Sequence, residues 1–298
     1  MSATISGTFT YSPPVRPLLV QGHGGLPKLI LRARDGASAE VYLHGGQVTS
    51  WRPAGGEECL FLSSQAEFAE NSAIRGGVPV IFPQFGAVGR LPKHGFARQL
   101  DWELEYARDT ADGGATVTLR LTDGSASWAL WRHRFIMDMT VTVNGNWLLQ
   151  QLTVKNDGKK PFRFTAALHN YLRIHDIGAV TVTGLHGRRY RDQLSGEERD
   201  EAAEALAFDG ELDRIYLGVP GPVRIADATR RIELATTGFA DLVVWTPGAE
   251  RATALADLEP GGYRHFLCVE PGVVGQSIWL APGESWSGTQ RLSVEPAP

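Results

Sequence analysis

The chain has 298 residues, of which 43% are hydrophobic and 21% are charged, and its formal net charge at pH 7 is −4. This composition is that of an ordinary globular protein and excludes a disordered chain. The small negative charge gives no reason to expect a nucleic acid or an acidic membrane as a partner. No stretch approaches the roughly 20 apolar residues of a membrane span, and the N-terminus lacks a secretory signal pattern, so a cytoplasmic protein is predicted.

Two cysteines, Cys59 and Cys268, are too few for a disulfide framework. No spacing of cysteines and histidines resembles a zinc site, so the sequence predicts no metal ion. Apolar residues follow each cysteine, which predicts two buried thiols.

Along the chain, strand patterns are frequent and helical patterns are few. Residues 64–71 could form a short helix capped by Ser64. The pair Asn144-Gly145 predicts a type I′ hairpin. Residues 197–207 have strong helix propensity, although strand pairing could override it. Alternating or β-rich runs predict strands at 116–122, 135–143, 148–154, 179–182, 231–234 and 242–245.

Glycine and proline punctuate the chain often, with 34 and 17 residues, and no repeat or linker is visible. Short strands joined by many turns predict an all-β fold, one large antiparallel β-sandwich with few short helices. A single domain over residues 1–298 is expected. The polar or proline-rich ends, about 1–15 and 291–298, are expected to be loosely held.

The densest chemistry lies in residues 74–98, IRGGVPVIFPQFGAVGRLPKHGFAR. Its five glycines and three prolines predict an irregular backbone rather than a packed strand. Arg75 precedes two glycines, and Arg98 ends the segment. Two converging guanidinium groups would suit a phosphate, because each can donate parallel hydrogen bonds. The alternative is a pair of surface arginines in solvated ion pairs, which are common.

Other candidates for proton transfer end apolar runs. His169 follows the run 164–168, which would place it at a strand end, and an imidazole titrates near neutral pH. Glu270 ends another apolar strand, where desolvation would raise its pKa and make it a better base. Each has a simpler explanation, since eight histidines compete for such a role and a carboxylate at a strand end can be exposed. His94 could be structural, and Asp213 could belong to a surface ion pair.

Together these segments resemble one known family. IRGGVPVIFPQFG, HGFAR, ALHNYL, ELDRIY and FLCVEPG have the order and spacing of motifs in the glucose-6-phosphate 1-epimerase branch of the aldose 1-epimerases. LHGGQVTSWRP, LFLSSQAEF, HDIGAVTVTGL and VVWTPG match as well, so the resemblance extends from about residue 41 to about residue 277. One departure is Thr246, where many relatives have asparagine, but this position is not one of the reacting groups.

The resemblance implies the β-sandwich of the galactose mutarotase type, in agreement with the strand pattern. It also implies interconversion of the anomers of a hexose 6-phosphate by ring opening, with His169 as general acid and Glu270 as general base. No metal or other cofactor would be needed, and a monomer with a small sugar phosphate as its partner is expected. The substrate-binding residues would be Arg75 and Arg98 on the phosphate, His94 at the anomeric end, Asp213 on the sugar hydroxyls, and Gln84.

Three other functions remain open at this stage. An aldose 1-epimerase for unphosphorylated sugars would have no use for two arginines in its cleft. A carbohydrate-binding sandwich without catalysis would not need both His169 and Glu270. A glycosidase normally uses two carboxylates, whereas the second partner here is a histidine.

Overall fold

The computed structural model of the protein describes residues 17–296. Within them lie two short helices, α1 (Ser125–Leu130) and α2 (Gly248–Ala252), and neither they nor any other helix described is long and apolar enough to cross a membrane. The strands, in chain order, are β1 (Leu18–Gln21), β2 (Pro27–Arg32), β3 (Ser38–Tyr42), β4 (Val48–Arg52), β5 (Val80–Ile81), β6 (Glu103–Asp109), β7 (Ala115–Thr122), β8 (Phe135–Asn144), β9 (Trp147–Asn156), β10 (Phe162–Leu168), β11 (Tyr171–Arg173), β12 (Thr181–Thr183), β13 (Arg189–Asp192), β14 (Glu198–Asp200), β15 (Ala205–Leu206), β16 (Leu212–Tyr216), β17 (Val223–Ala226), β18 (Arg230–Thr237), β19 (Asp241–Thr246), β20 (Phe266–Leu280) and β21 (Ser285–Pro296).

These strands form three antiparallel sheets. The nine-stranded sheet has the order β15-β12-β17-β18-β21-β9-β8-β7-β6, and the eight-stranded sheet has the order β14-β13-β16-β19-β20-β10-β5, with β11 also paired to β20. The smaller sheet has the order β1-β2-β3-β4. Buried side chains of the two large sheets belong to one hydrophobic core. The predicted antiparallel β-sandwich is therefore confirmed, and the shared core supports the prediction of a single domain, which stays a prediction.

Period-two alternation directs one face of each strand into this core. In β8, burial alternates at every residue, and the inward side chains are fully buried. Removing each such side chain from water stabilises the fold by about 1.5–3 kcal/mol. The inward residues of β8 are Phe135, Met137, Met139, Val141 and Val143.

The same alternation leaves the other face of the eight-stranded sheet available for a site. In β20, Leu267 and Val269 belong to the main core, whereas Cys268 and Glu270 point the other way. Pairing between strands aligns these outward residues, because Trp245 lies opposite Cys268. Strand β20 thus carries Cys268 and Glu270 on the face that does not contact the nine-stranded sheet.

Both expected helices are absent where the sequence suggested them. Residues 64–71 form turns, because the Ser63 hydroxyl and the Ser64 amide both donate to the carboxylate of Glu259, at 2.5 and 3.1 Å. Residues 197–207 contain β14 and β15 instead of a helix. There Glu201 accepts hydrogen bonds from two side chains of β16, so tertiary pairing overrides the local propensity.

Three further expectations need adjustment. The hairpin at residues 144–147 is present, but its central residues are Gly145 and Asn146, and only Gly145 has a positive φ, so the turn is not type I′. The strand expected at 179–182 begins at Thr181, after a turn of 3₁₀ helix. Residues 291–293 pair with strands on both sides within β21 and residues 294–296 pair with β18, rather than lying loose, while residues 1–15 and 297–298 lie outside the described part.

A chain of buried amides joins the two large sheets. The Gln290 amide nitrogen donates to Gln150 Oε1 and to Asn170 Oδ1, both at 2.8 Å. The Asn170 amide nitrogen in turn donates to Gln290 Oε1 and to the carbonyl of Val269, also at 2.8 Å. All three amide side chains have no exposed surface. Inside a core of low polarity such a network is strong when complete and costly when broken.

We expect Gln290→Met to lower the free energy of unfolding by roughly 2–5 kcal/mol, because each buried polar group left without a partner costs about 1–3 kcal/mol. Urea denaturation measures this change. The matched control is Gln151→Met, because Gln151 is exposed on the outer face of β9, and it should change the stability by less than about 0.5 kcal/mol. Equal stability of the two variants would show that the buried amide network does not contribute to the free energy of unfolding.

Candidate active site

A cavity of about 360 Å³ lies on the outer face of the eight-stranded sheet. Strands β16, β19 and β20 form its floor, and the segment 85–98, the break between β10 and β11, and the region of α2 form its walls. The volume is that of an ordinary small-molecule site. The cavity is lined by Arg75, Phe85, Gly86, Ala87, Lys93, His94, Arg98, His169, Tyr171, Gln193, Asp213, Val243, Trp245, Arg251, Leu255 and Glu270.

The predicted site residues converge here, with one exception. Gln84 is absent from the lining. Its side chain donates to the carbonyls of Gly86 and Leu91 and accepts from the Leu91 amide. Gln84 therefore braces the segment 84–91, and the structure separates it from the other six predicted residues.

His169 lies at a break in a strand. Strand β10 ends at Leu168, and the His169 amide donates to the carbonyl of Pro79 before β11 begins. The imidazole stacks on Tyr171, with ring centroids 4.8 Å apart and an interplanar angle of 8°. Trp245 meets the same imidazole edge-on at 5.9 Å. Two aromatic rings thus fix the plane of the histidine.

His169 and Glu270 are neighbours at the buried end of the cavity. His169 Nδ1 is 3.2 Å from Glu270 Oε1, but the orientation is not that of a hydrogen bond. Neither His169 Nδ1 nor Glu270 Oε2 has a hydrogen-bond partner among residues 17–296. The side chains are only 9% and 2% exposed. Two buried titratable side chains whose hydrogen-bonding capacity is not fully used therefore lie next to each other.

Burial dominates the electrostatics of this pair. It raises the pKa of Glu270 well above its usual value, Asp213 raises it further, and Lys93 and Arg98 oppose both effects. Burial also lowers the pKa of His169 well below its usual value, and the neighbouring basic groups lower it further. Burial thus disfavours the charged form of each group, and these directions favour a neutral carboxyl over a carboxylate and a neutral imidazole over an imidazolium.

Arg75 is held by other residues of the protein. Its Nε and Nη2 atoms contact the two carboxylate oxygens of Asp257 at 3.1 Å, and its Nη1 donates to Tyr171 Oη at 2.7 Å. Because the Tyr171 ring stacks on His169, the hydrogen bond from Arg75 to Tyr171 indirectly holds the imidazole in position. Its remaining N–H groups are still at the cavity wall.

Arg98 differs from Arg75 in lacking an acidic partner. Among residues 17–296, its only hydrogen bond runs from Nη2 to the Lys93 carbonyl at 3.1 Å, and its buried Nε has none. Lys93 lines the same wall. Burial lowers the pKa of Lys93, and the positive charges of Arg251 and Arg98 lower it further. Neither Arg98 nor Lys93 forms a salt bridge among residues 17–296, although the carboxylate of Asp213 is near enough to oppose the lowering of the Lys93 pKa.

Two further predicted residues also lie at the cavity. Burial raises the pKa of Asp213 to about 6, although Lys93 and Arg251 oppose it, and its carboxylate has no hydrogen bond within the described chain. Burial lowers the pKa of His94, and the positive charges of Arg98 and Lys93 lower it further, to about 3. His94 is therefore neutral at physiological pH. Its Nδ1 accepts from the Gly86 amide at 3.3 Å.

Sequence reasoning missed several residues of the site. Tyr171 lies inside the recognised motif ALHNYL and Lys93 directly precedes the motif HGFAR, so their positions carried a signal that was not used. Trp245 lies in VVWTPG in the same way. Asp257 and Arg251 come from a segment with no motif, and only the fold brings Arg251 to the cavity and Asp257 to Arg75.

Known proteins share both the sequence and the fold. Residues 27–293 match the family model described as aldose 1-epimerase. A protein of Cenchrus ciliaris, provisionally named glucose-6-phosphate 1-epimerase, is 38% identical over 94% of this chain and 88% of its own length. A protein of Escherichia coli K12 with the same provisional name is 33% identical over 84% of each chain.

Solved structures agree with this relationship. The crystal structure of YeaD from Salmonella typhimurium, provisionally called a mutarotase, has a TM-score of 0.85 and 28% identity, covering 94% of this chain and 97% of that one. Galactose 1-epimerase from Lactobacillus acidophilus has a TM-score of 0.73 at 14% identity, covering 95% and 99%, which shows a shared fold. With a family model matched over nearly its whole length, the chain belongs to the aldose 1-epimerase family.

Proposed function

We propose that this protein interconverts the α and β anomers of a hexose 6-phosphate. The observation that carries the proposal is the composition of one cavity. Its buried end holds the proton-transfer pair His169 and Glu270, and its wall holds Arg98 and Lys93, which have no acidic partner among the described residues. A neutral sugar would explain the pair but not the unpaired cations, whereas a sugar phosphate explains both.

The reaction needs only proton transfer. Glu270 removes the proton from the O1 hydroxyl while His169 donates a proton to the ring oxygen O5. The C1–O5 bond breaks, and an open-chain aldehyde forms. Rotation about C1–C2 presents the other face of the carbonyl group, and O5 attacks it as both protons return. General acid–base catalysis of this kind contributes about 10²–10⁴-fold.

The electrostatics of the pair suit this sequence of steps. Ring opening converts a carboxylate and an imidazolium into a carboxyl and a neutral imidazole. The directions of the Glu270 and His169 pKa shifts favour that second arrangement, because burial penalises both charges. A phosphate dianion would offset the positive field of Arg98, which lowers the pKa of His169, and so help the imidazole carry the proton before ring opening.

Glucose 6-phosphate is the proposed hexose phosphate, because relatives at 33–38% identity carry that substrate in their provisional names. In this proposal, Arg98 and Lys93 bind the phosphate, helped by the free N–H groups of Arg75. Asp213 accepts from sugar hydroxyls, and His94 contacts the anomeric end. The monomeric state, the cytoplasmic location and the lack of nucleic-acid or membrane partners stay predictions, and the small net charge supports only the last of them.

We expect Glu270→Gln to lower the anomer exchange rate by at least about 10², the low end for a lost general base. His169→Asn should lower it similarly, and the double variant should be little worse than the slower single one, because the two groups act in one relay. Exchange NMR on glucose 6-phosphate measures all three rates. Fully multiplicative losses would contradict a shared relay, and a near wild-type rate for Glu270→Gln would exclude it as the base.

The phosphate assignment predicts a selective loss. Arg98→Ala should lower kcat/KM for glucose 6-phosphate by roughly 10- to 200-fold, since a hydrogen bond between charged groups is worth about 1.5–3 kcal/mol. Activity on free glucose should change far less. Arg98→Lys should restore only part of the loss, because an ammonium group cannot reproduce the bidentate geometry of a guanidinium. The measurement is kcat/KM on both sugars, side by side.

Two matched variants sharpen this experiment. Arg90→Ala removes the same charge from an exposed position and should leave both activities unchanged. Arg75→Ala should impair both sugars, because it also removes the support of Tyr171 and leaves Asp257 without its cation. Equal losses on both sugars for Arg98→Ala would assign Arg98 to the fold. A wild-type preference for free glucose would exclude the sugar-phosphate proposal.

The proton-only mechanism also predicts indifference to chelators. Protein treated with EDTA and then freed of it should keep its full exchange rate, because no step uses a Lewis acid. Polarimetry before and after treatment provides the comparison. Loss of activity that a divalent ion restores would show that the reaction depends on a metal ion.

A further inference from the structure

Three potential metal ligands meet below the cavity. A ligand atom of His169, the Cys268 thiol and a carboxylate oxygen of Glu270 all lie within 4.8 Å of one another. These residues are 7%, 0% and 1% exposed, so the group is buried rather than a chance surface cluster. The sequence gives no hint of it, because the three residues have no metal-binding spacing.

The register of the eight-stranded sheet produces this group. Cys268 and Glu270 are two residues apart in β20 and therefore project from the same face. Tyr171 pairs with Cys268 across the sheet, and His169 precedes it by two residues, which brings the imidazole beside Glu270. Three backbone positions on one face of the sheet thus bring the three side chains together.

The bonding capacity of the three side chains is largely unused. His169 Nδ1 and Glu270 Oε2 are buried without a hydrogen-bond partner among residues 17–296. Such orphaned atoms are rare in native proteins and call for an explanation. A bound cation would satisfy both of them. The distance of 3.2 Å between His169 Nδ1 and Glu270 Oε1 is close to the ~3.3 Å edge of a tetrahedron with metal–ligand bonds of ~2.0 Å.

We propose that His169, Cys268 and Glu270 bind a thiophilic divalent cation such as Zn²⁺ and that the bound cation inhibits the enzyme. One nitrogen, one sulfur and one oxygen ligand with an open fourth position is a donor set that suits zinc. The open position faces the cavity, because His169 and Glu270 line it whereas Cys268 lies beneath. Binding releases the thiol proton and forms the metal–thiolate bond.

Inhibition follows because the cation binds the two side chains that transfer protons in the proposed reaction. An imidazole bound to the cation through Nδ1 does not become imidazolium, so His169 loses its role as acid. The Glu270 carboxylate, once coordinated, no longer accepts the O1 proton. This inhibition rests on the proposed function, but the binding of the cation does not, so the two are tested separately.

The binding test uses Co²⁺ as a spectroscopic substitute for Zn²⁺ and a protein without a histidine tag. Wild type should bind one equivalent and develop the thiolate-to-cobalt charge-transfer band in the near ultraviolet. Cys268→Ala should lose the band and bind at least about tenfold more weakly, since one of three ligands is gone. Cys268→Ser, which preserves the shape, should also lose the band. Cys59→Ala, which removes the other buried thiol, should retain it.

The activity test uses Zn²⁺ on the same variants. Zn²⁺ should abolish anomer exchange by wild type and by Cys59→Ala, and EDTA should restore it, whereas Cys268→Ala should stay active at the inhibitory concentration. A missing cobalt band in wild type, or a band that persists in Cys268→Ala, would overturn the metal site. Cobalt binding without any anomer exchange would leave the site standing and overturn the proposed function instead.

Discussion

The buried amide chain through Gln290 and Asn170 is the constraint on which the site depends. It links the nine-stranded sheet to the break in the eight-stranded sheet where the backbone leaves β10 and enters β11. Asn170 directly follows His169, and its amide nitrogen donates to Val269, which directly precedes Glu270. One side chain therefore fixes the backbone beside both members of the proton-transfer pair. The break between β10 and β11 at His169 is stable because these hydrogen bonds replace strand-pairing hydrogen bonds that are missing there.

A second line of support reaches the imidazole from the opposite side. Asp257 holds Arg75, Arg75 donates to the Tyr171 hydroxyl, and the Tyr171 ring stacks on His169. Tyr171 is fully buried, so the hydrogen bond to Arg75 satisfies a polar group that burial would otherwise penalise. This arrangement gives Arg75 and Arg98 different tasks. Arg75 is committed mainly to the protein, and Arg98 keeps most of its donors for a ligand.

How much of this follows from the sequence depends on the range of the interaction. The alternation in β8 predicted a strand because it depends only on neighbouring residues, and the motifs around His169 and Glu270 singled out two residues that the structure places side by side. The failures are long-range. Residues 197–207 became strands because Glu201 bonds to β16, and Gln84 turned inward to brace its own loop. No local pattern could have revealed that Asp257 would hold Arg75, since the two lie 182 residues apart.

The strand β20 serves the core and the chemistry at once, and this dual role explains both the pair and the cluster beneath it. Its inward residues are packed in the main core, and this packing helps to hold its outward residues in fixed positions. In the proposed mechanism, Glu270 uses that rigidity for proton transfer. Cys268, two residues earlier, acquires the same rigidity although acid–base chemistry has no use for a thiol. The geometry that pre-organises a base therefore also pre-organises a metal ligand, and replacing the thiol separates metal binding from catalysis because only the metal needs it.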